Sequence, residues 1–260
     1  MTHAGSIPWG RLILGCLLGL AVAAALVVLI VPLIATQVTG GSQLRIRSDA
    51  MAPALLPGDW VLAEPLPPGQ APPRGAIVLY NDPNDQIGRQ ALRVMGLPGE
   101  RIQMRGGALY VNGRRAEMER LDDRVVRKRR PGRWGRMPLC INDPVETNGE
   151  CRQERWREIL PDGTSNVVLN TRHKVGVAML AGDGSGRSAG DDTKQIRIPN
   201  DHVFLIGDNR DSARDSRTTR RGLVPQHEIR QRVWMIHTSL DRSARFPIPR
   251  WDRFFREIER

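Results

Sequence analysis

The side chains able to carry nucleophilic or proton-transfer chemistry are few. Ser48 opens the segment Ser48-Asp49-Ala50-Met51-Ala52-Pro53-Ala54-Leu55-Leu56-Pro57-Gly58-Asp59. A serine hydroxyl attacks a carbonyl only when a base takes its proton, and a lysine serves as that base only when burial lowers its pKa. The chain has three lysines, Lys128, Lys174 and Lys194, and none precedes position 128. A base for Ser48 would have to come from elsewhere, such as His202, His237 or a partner subunit. Cys140 and Cys151 bracket a polar loop at 141–150, with no CxxC and no His at a zinc-ligand spacing, so no metal site is indicated. In an oxidising compartment a disulfide would close that loop and lower unfolded-state entropy by about 3 kcal/mol, two free thiols being the alternative.

Three segments, in order, resemble the type I signal peptidase family. The segment from Ser48 to Asp59 is similar to the family's Ser-x-Ser-Met-x-Pro-Thr-Leu box, which follows the membrane anchor. Arg93-Val94-Met95-Gly96-Leu97-Pro98-Gly99-Glu100 is similar to its Lys-Arg-x-x-Gly-x-Pro-Gly-Asp/Glu box. Gly207-Asp208-Asn209-Arg210-Asp211-Ser212-Ala213-Arg214-Asp215-Ser216-Arg217, trailed by Gly222-Leu223-Val224-Pro225, resembles Gly-Asn/Asp-x-Asp/Arg-Asn-Ser-x-Asp-Ser-Arg and its Gly-x-Val-Pro. The resemblance covers essentially the whole chain, weakly in the middle. It implies a mainly β fold: one N-terminal transmembrane helix, then a β-rich domain with an inserted second β subdomain. It also implies a serine endopeptidase that removes signal peptides after Ala-x-Ala with a Ser/Lys dyad, using no cofactor and no metal.

Position by position, that dyad is missing. The nucleophile slot, before Met51, holds Ala50, and the general-base slot, before Arg93, holds Leu92. The slot of the serine that supports the lysine holds Ala213, with Ser212 beside it. Ser48 matches the oxyanion-hole serine, with the backbone N–H of residue 50 as the other donor. Asp208, Arg210, Asp215 and Arg217 match charged members of the third box, which brace the core. In the family, substrate lies alongside strands matching 43–50 and 89–92. The residues expected to bind it are therefore Ile46, Arg47, Ser48, Asp49, Met51, Pro53, Gln90 and Ala91.

Three apolar replacements together fit a natural pseudo-peptidase better than one engineered for trapping substrate. The expectation is a catalytically inactive homologue that binds signal peptides, or exported or membrane proteins, in a peptide-holding or assembly role. One alternative is an active peptidase with Ser48 as a displaced nucleophile, which a shift of roughly 7 Å along the strand disfavours. The other is a structural membrane protein with a vestigial groove.

These segments require a tether and a β scaffold. Residues 12–35 are uninterruptedly apolar, and no charge lies between Arg11 and Arg45. About 24 helical residues make roughly 36 Å, enough to cross a ~30 Å hydrocarbon core. A cleavable signal would have a shorter apolar region of roughly 7–15 residues. The expected division is a cytoplasmic tail at 1–11, an anchor at 12–36, a core at 42–113 and 201–249, an inserted looser subdomain at 114–200, and an amphipathic C-terminal segment at 250–260. The large domain is expected on the periplasmic side of the inner membrane.

Alternating or apolar runs predict strands at 43–47, 59–63, 76–80, 90–95, 101–104, 108–111, 203–206 and 232–236, with a hairpin tip at Asn112-Gly113. Trp251, Phe254, Phe255 and Ile258 share one face of a predicted short helix, suited to the membrane interface or to packing on the domain. The net charge of +11 is almost all arginine. Without a helix-turn-helix, zinc-finger or RNA-binding signature, it points to the lipid bilayer and not to nucleic acid.

Overall fold

The computed structural model describes residues 9–67, 69–81, 88–130, 137–169, 190–218, 222–243 and 246–258. The charge-free run forms helix α1 (Trp9–Thr39). Within it Ile13–Val38, 26 residues, is long and apolar enough to cross a membrane, at about 39 Å. Leu14, Leu18 and Leu20 on this helix are two-thirds exposed, so the described residues leave its apolar surface uncovered.

The strands follow in order: β1 (Ser42–Arg45), β2 (Asp59–Pro65), β3 (Ile77–Asn81), β4 (Arg89–Gly96), β5 (Arg101–Arg105), β6 (Ala108–Val111), β7 (Arg114–Arg115) and β8 (Glu117–Arg127). Then come β9 (Glu150–Ile159), β10 (Ser165–Leu169), β11 (Ile196–Arg197), β12 (His202–Ile206), β13 (Val224–Pro225), β14 (Ile229–Asp241), β15 (Ile248–Pro249) and β16 (Arg256–Glu257). The chain is mainly β, as its alternating apolar runs require. Asn112 and Gly113 both take positive φ (51° and 81°), the geometry that a tight β6–β7 hairpin needs.

The largest sheet has the order β1-β2-β14-β3-β4-β12-β13, with β15 and β16 also pairing β14. Strand β14, predicted only at 232–236, runs 13 residues and carries the sheet. Irregularities in its register let it pair β2 on one side and β3 on the other. Strands β11-β5-β6-β7 form a second sheet and β10-β9-β8 a third. Val61, Ile77, Leu92, Val94, Leu205 and Ile236 belong to one apolar core. Met95, Ile102, Leu109, Ile198 and Phe204 belong to another.

Two expectations are corrected. The stretch 114–200 is more ordered than expected over its described part: β8 and β9 pair from Glu117–Ile159 to Arg127–Glu150. Within it Arg124 and Arg127 belong to β8, opposite Gln153 and Glu150 of β9. Residues 170–189 of this stretch lie outside the described residues. At the C-terminus no helix forms among the described residues. A single 3₁₀ turn (Trp251–Arg253) is followed by Phe255 at φ 54° and then by β16 on β14. The cause is Arg253, which is drawn inward onto buried Asp59 at 2.6 Å and holds the segment against the domain. Ile258 packs on the main core while Trp251 stays 73% exposed, so the four apolar residues share no face.

Candidate functional site

Strand β12 runs antiparallel to β4 with Ile206 opposite Arg93. Leu92 precedes Arg93 on β4 and lies opposite Val78 of β3. After Ile206 the chain turns back: the Ala213 N–H donates to the Asn209 carbonyl at 2.9 Å, and the Asn209 N–H donates to the Ala50 carbonyl at 3.0 Å. A Cβ on residue 207 would collide with the Ala213 methyl and lie 2.6 Å from the Ala50 carbonyl oxygen. Only glycine permits so close an approach. Positions 50 and 213 thus meet at one glycine, and neither they nor Leu92 carries a group that can exchange a proton. Leu92 is 1% exposed and packed in the main apolar core.

Ser48 is exposed, and its Oγ accepts the N–H of Ala50 at 3.1 Å. The two groups expected to act as separate oxyanion donors are instead bonded to each other. A serine hydroxyl two residues before an amide readily closes this local turn. Neither candidate base is a hydrogen-bond partner of Ser48. His202 Nδ1 lies 2.7 Å from Asp201 at the start of β12. His237 Nδ1 lies 2.8 Å from Thr238 Oγ1, and its Nε2 is buried without a partner.

Burial pulls the His237 pKa from 6.5 down to about 4. The unfolded chain therefore binds an extra proton between these values. Stability is fully present above pH 6.5 and falls as pH drops toward 4, by up to about 3 kcal/mol. His237→Gln is expected to remove most of this slope, measured as the difference between urea midpoints at roughly pH 7 and pH 4.5. Equal slopes in parent and variant would contradict the assignment.

The third box is built into the core by ion pairs. Arg93 makes a two-pronged contact with Asp208, at 2.8 and 2.7 Å, and also donates to the Gly75 carbonyl at 2.6 Å. Asn166 adds a bond to Asp208 at 3.3 Å. Asp215 accepts the Gly207 N–H at 3.0 Å and holds Arg217 at 2.9 Å. Arg210 pairs with Glu158 of β9, both side chains fully buried. Ser212 Oγ donates to Asp49 at 2.7 Å, so the serine beside Ala213 already has a carboxylate partner. The resemblance marked the arginines and aspartates but not Glu158, Asn166 or Asp49 as their partners. Pairing across such distances in sequence leaves no local pattern to read.

A cleft of about 560 Å³ runs along this site. Ile46, Arg47, Ser48, Asp49, Ala50 and Met51 line one wall, and Gln90 and Ala91 the other. Of the residues expected to bind substrate, Pro53 alone lies elsewhere, on a neighbouring cleft with Arg93 and Arg124. At the end nearest α1, Arg89 Nη1 donates to Ser42 Oγ (2.8 Å) and Gln231 Oε1 (3.2 Å), tying β1 to β4. Trp60 also lines the cleft, although in the sequence its strand reads as ordinary core with no signal of a site. Away from the cleft, Cys140 and Cys151 are joined in a disulfide, with Cα atoms 5.1 Å apart.

The family model described as signal peptidase, peptidase S26, matches residues 17–238. Signal peptidase I of Rickettsia canadensis is 29% identical over 154 residues, 59% of this chain and 47% of its own length. Signal peptidase I of Rickettsia prowazekii matches at 29% over the same shares. The chain spans about half the length of the curated relatives it matches. A crystal structure of a signal peptidase I from Enterococcus faecalis is 20% identical, with a TM-score of 0.27, covering 62% of this chain and 94% of that one.

Proposed function

Because this chain belongs to the signal peptidase S26 family, we propose that it is a membrane-anchored, non-hydrolysing member that holds signal peptides of exported proteins in the cleft between β1 and β4. The observation that carries this reading is Leu92, sealed in the apolar core where the dyad needs an amine. Ala50 and Ala213, packed around Gly207, point the same way. Among the described residues neither His202 nor His237 is bonded to Ser48, which argues against a displaced nucleophile. The cleft itself is kept, walled by one end of an edge strand and by β4. An extended peptide there would gain main-chain pairing for affinity and shallow apolar contacts for small side chains. The disulfide supports an oxidising, extracytoplasmic site for the large domain.

The test is fluorescence anisotropy with a labelled peptide bearing an apolar stretch and Ala-x-Ala, alongside gel analysis of the same samples. Saturable binding without cleavage is expected, weakened about tenfold by Ala91→Trp, which fills the cleft. Cleavage by the parent that Ser48→Ala abolishes would overturn the reading in favour of a displaced nucleophile. Absence of binding would leave a vestigial groove.

A further inference from the structure

Beyond the peptide cleft, the cavities continue and change character. Asp49 borders both the cleft and a smaller cavity of about 300 Å³. Arg124 borders that cavity and a third, of about 720 Å³, which lies between the β8–β10 sheet and the main sheet. Seven arginines line this third cavity, against a single carboxylate, Glu257. Four of them are already paired: Arg74 with Glu100 and Asp162, Arg93 with Asp208, Arg157 with Glu119, and Arg253 with Asp59.

Arg124, Arg155 and Arg256 are not, since no carboxylate among the described residues lies within ion-pair distance of them. Arg124 donates to the Gln153 amide oxygen at 2.6 Å and Arg155 to the Asp122 carbonyl at 2.6 Å, both neutral acceptors. Burial, and then the like charges of Arg250 and Arg253, push the Arg124 pKa down to about 10, with Asp49 opposing them in part, so positive charge outweighs negative around this guanidinium. Guanidinium groups so placed favour carboxylate or phosphate ligands.

The direction of the cavities selects between ligands. Helix α1 ends at Thr39 and β1 starts at Ser42, where Arg89 ties the near end of the cleft. On the peptide-holding reading, a client segment leaving the bilayer would enter there, and its exported continuation would leave past Ala50. A compact oxyanion would occupy one cavity, whereas an extended chain can run through cavities that share walls. We propose that the arginine-lined cavity binds acidic side chains in the part of the client that follows the small-residue segment, a specificity that rests on the peptide-holding reading above. Asp49, held by Ser212 and Asn209 at the junction, repels an acidic residue placed too early and so sets where the acidic stretch begins.

The experiment uses the purified full chain in detergent and labelled peptides of one apolar Ala-x-Ala segment, followed by a Glu-rich or a Gln-rich tail. The Glu-rich peptide is expected to bind about tenfold tighter at low salt, and to lose that advantage as ionic strength rises. Arg124→Gln combined with Arg256→Gln should erase the advantage while leaving the Gln-tailed peptide unaffected. Arg256→Gln alone, on an exposed side chain, should reduce it without risk to the fold. Arg197→Gln, a surface arginine of another cavity, should leave it intact. Equal binding of the two tails overturns the acidic preference and leaves the holding function standing. If neither peptide binds, the holding function fails, and the isolated Glu-rich tail decides for the cavity: binding lost in the double variant supports it, and no binding rejects it. Binding of a single-stranded oligonucleotide with the same arginine dependence would reassign the cavity to polyanions in general.

Discussion

Ala50→Ser, Leu92→Lys and Ala213→Ser, made together, are expected to turn the chain into one that cleaves an Ala-x-Ala preprotein at least ~10³-fold faster than the parent. Each change supplies what the others lack. A serine at 50 presents a hydroxyl at the mouth of the cleft but has no base. A lysine at 92 would sit where Leu92 is 1% exposed, and desolvation there would depress its pKa toward the range in which a neutral amine accepts a proton. A serine at 213, beside Gly207 and the Ala50 carbonyl, would orient that amine. Groups that act as a unit are strongly non-additive, so each single change should stay near background.

Turnover also requires the residue-50 N–H, now donated to Ser48 Oγ, to swing to the substrate oxyanion. Adding Ser48→Ala to the triple variant tests this, with a loss of about 10²-fold expected if the hydroxyl contributes its own bond. The assay is band shift of the preprotein on gels. A folded triple variant that stays inert would show that more than the proton-handling groups has been lost. A parent that cuts at the triple variant's rate would remove the case for a pseudo-peptidase.

Asp208→Ala should be the most damaging single substitution in the third box, costing about 3–5 kcal/mol in chemical denaturation. It strips buried Arg93 of both its charge-assisted bonds to Asp208, while the bond to the Gly75 carbonyl stays. Asn166 loses a partner at the same time. Replacing the pair with Arg93→Met and Asp208→Leu removes the uncompensated charge and should recover much of that loss. A small effect of Asp208→Ala would mean that solvent reaches Arg93 and that the box is not braced as described. Because this pair joins β4 to the turn after β12, peptide binding should fall together with stability.

How much of this was legible in the sequence differs from element to element. The anchor and the short strands read clearly, since a charge-free run and alternating residues bounded by Pro and Gly are local signals. Asn112-Gly113 marked its own turn. The empty slots at 50, 92 and 213 were legible only through the resemblance, because alanine and leucine announce nothing by themselves. Arg210–Glu158 and Asp49–Ser212 were illegible, as their members sit on distant stretches that only the tertiary fold brings together. The C-terminus misled for the same reason: the spacing of Trp251, Phe254, Phe255 and Ile258 satisfies a helix, but the Arg253–Asp59 pair fixes another path. Local pattern yields to a buried charge pair there.

Leu92 has a further consequence, for the history of the sequence. A buried amine is a standing burden on a fold, tolerated in an active enzyme because catalysis requires it. With leucine in that place the protein is released from the burden, and the margin gained can absorb mildly destabilising substitutions elsewhere that an active enzyme could not carry. Neighbours in the core, such as Val78 opposite it on β3, are then free to adapt to a branched apolar side chain. On the pseudo-peptidase reading proposed above, each such adjustment would make a lysine there harder to accommodate, so the loss of the base would work as a ratchet.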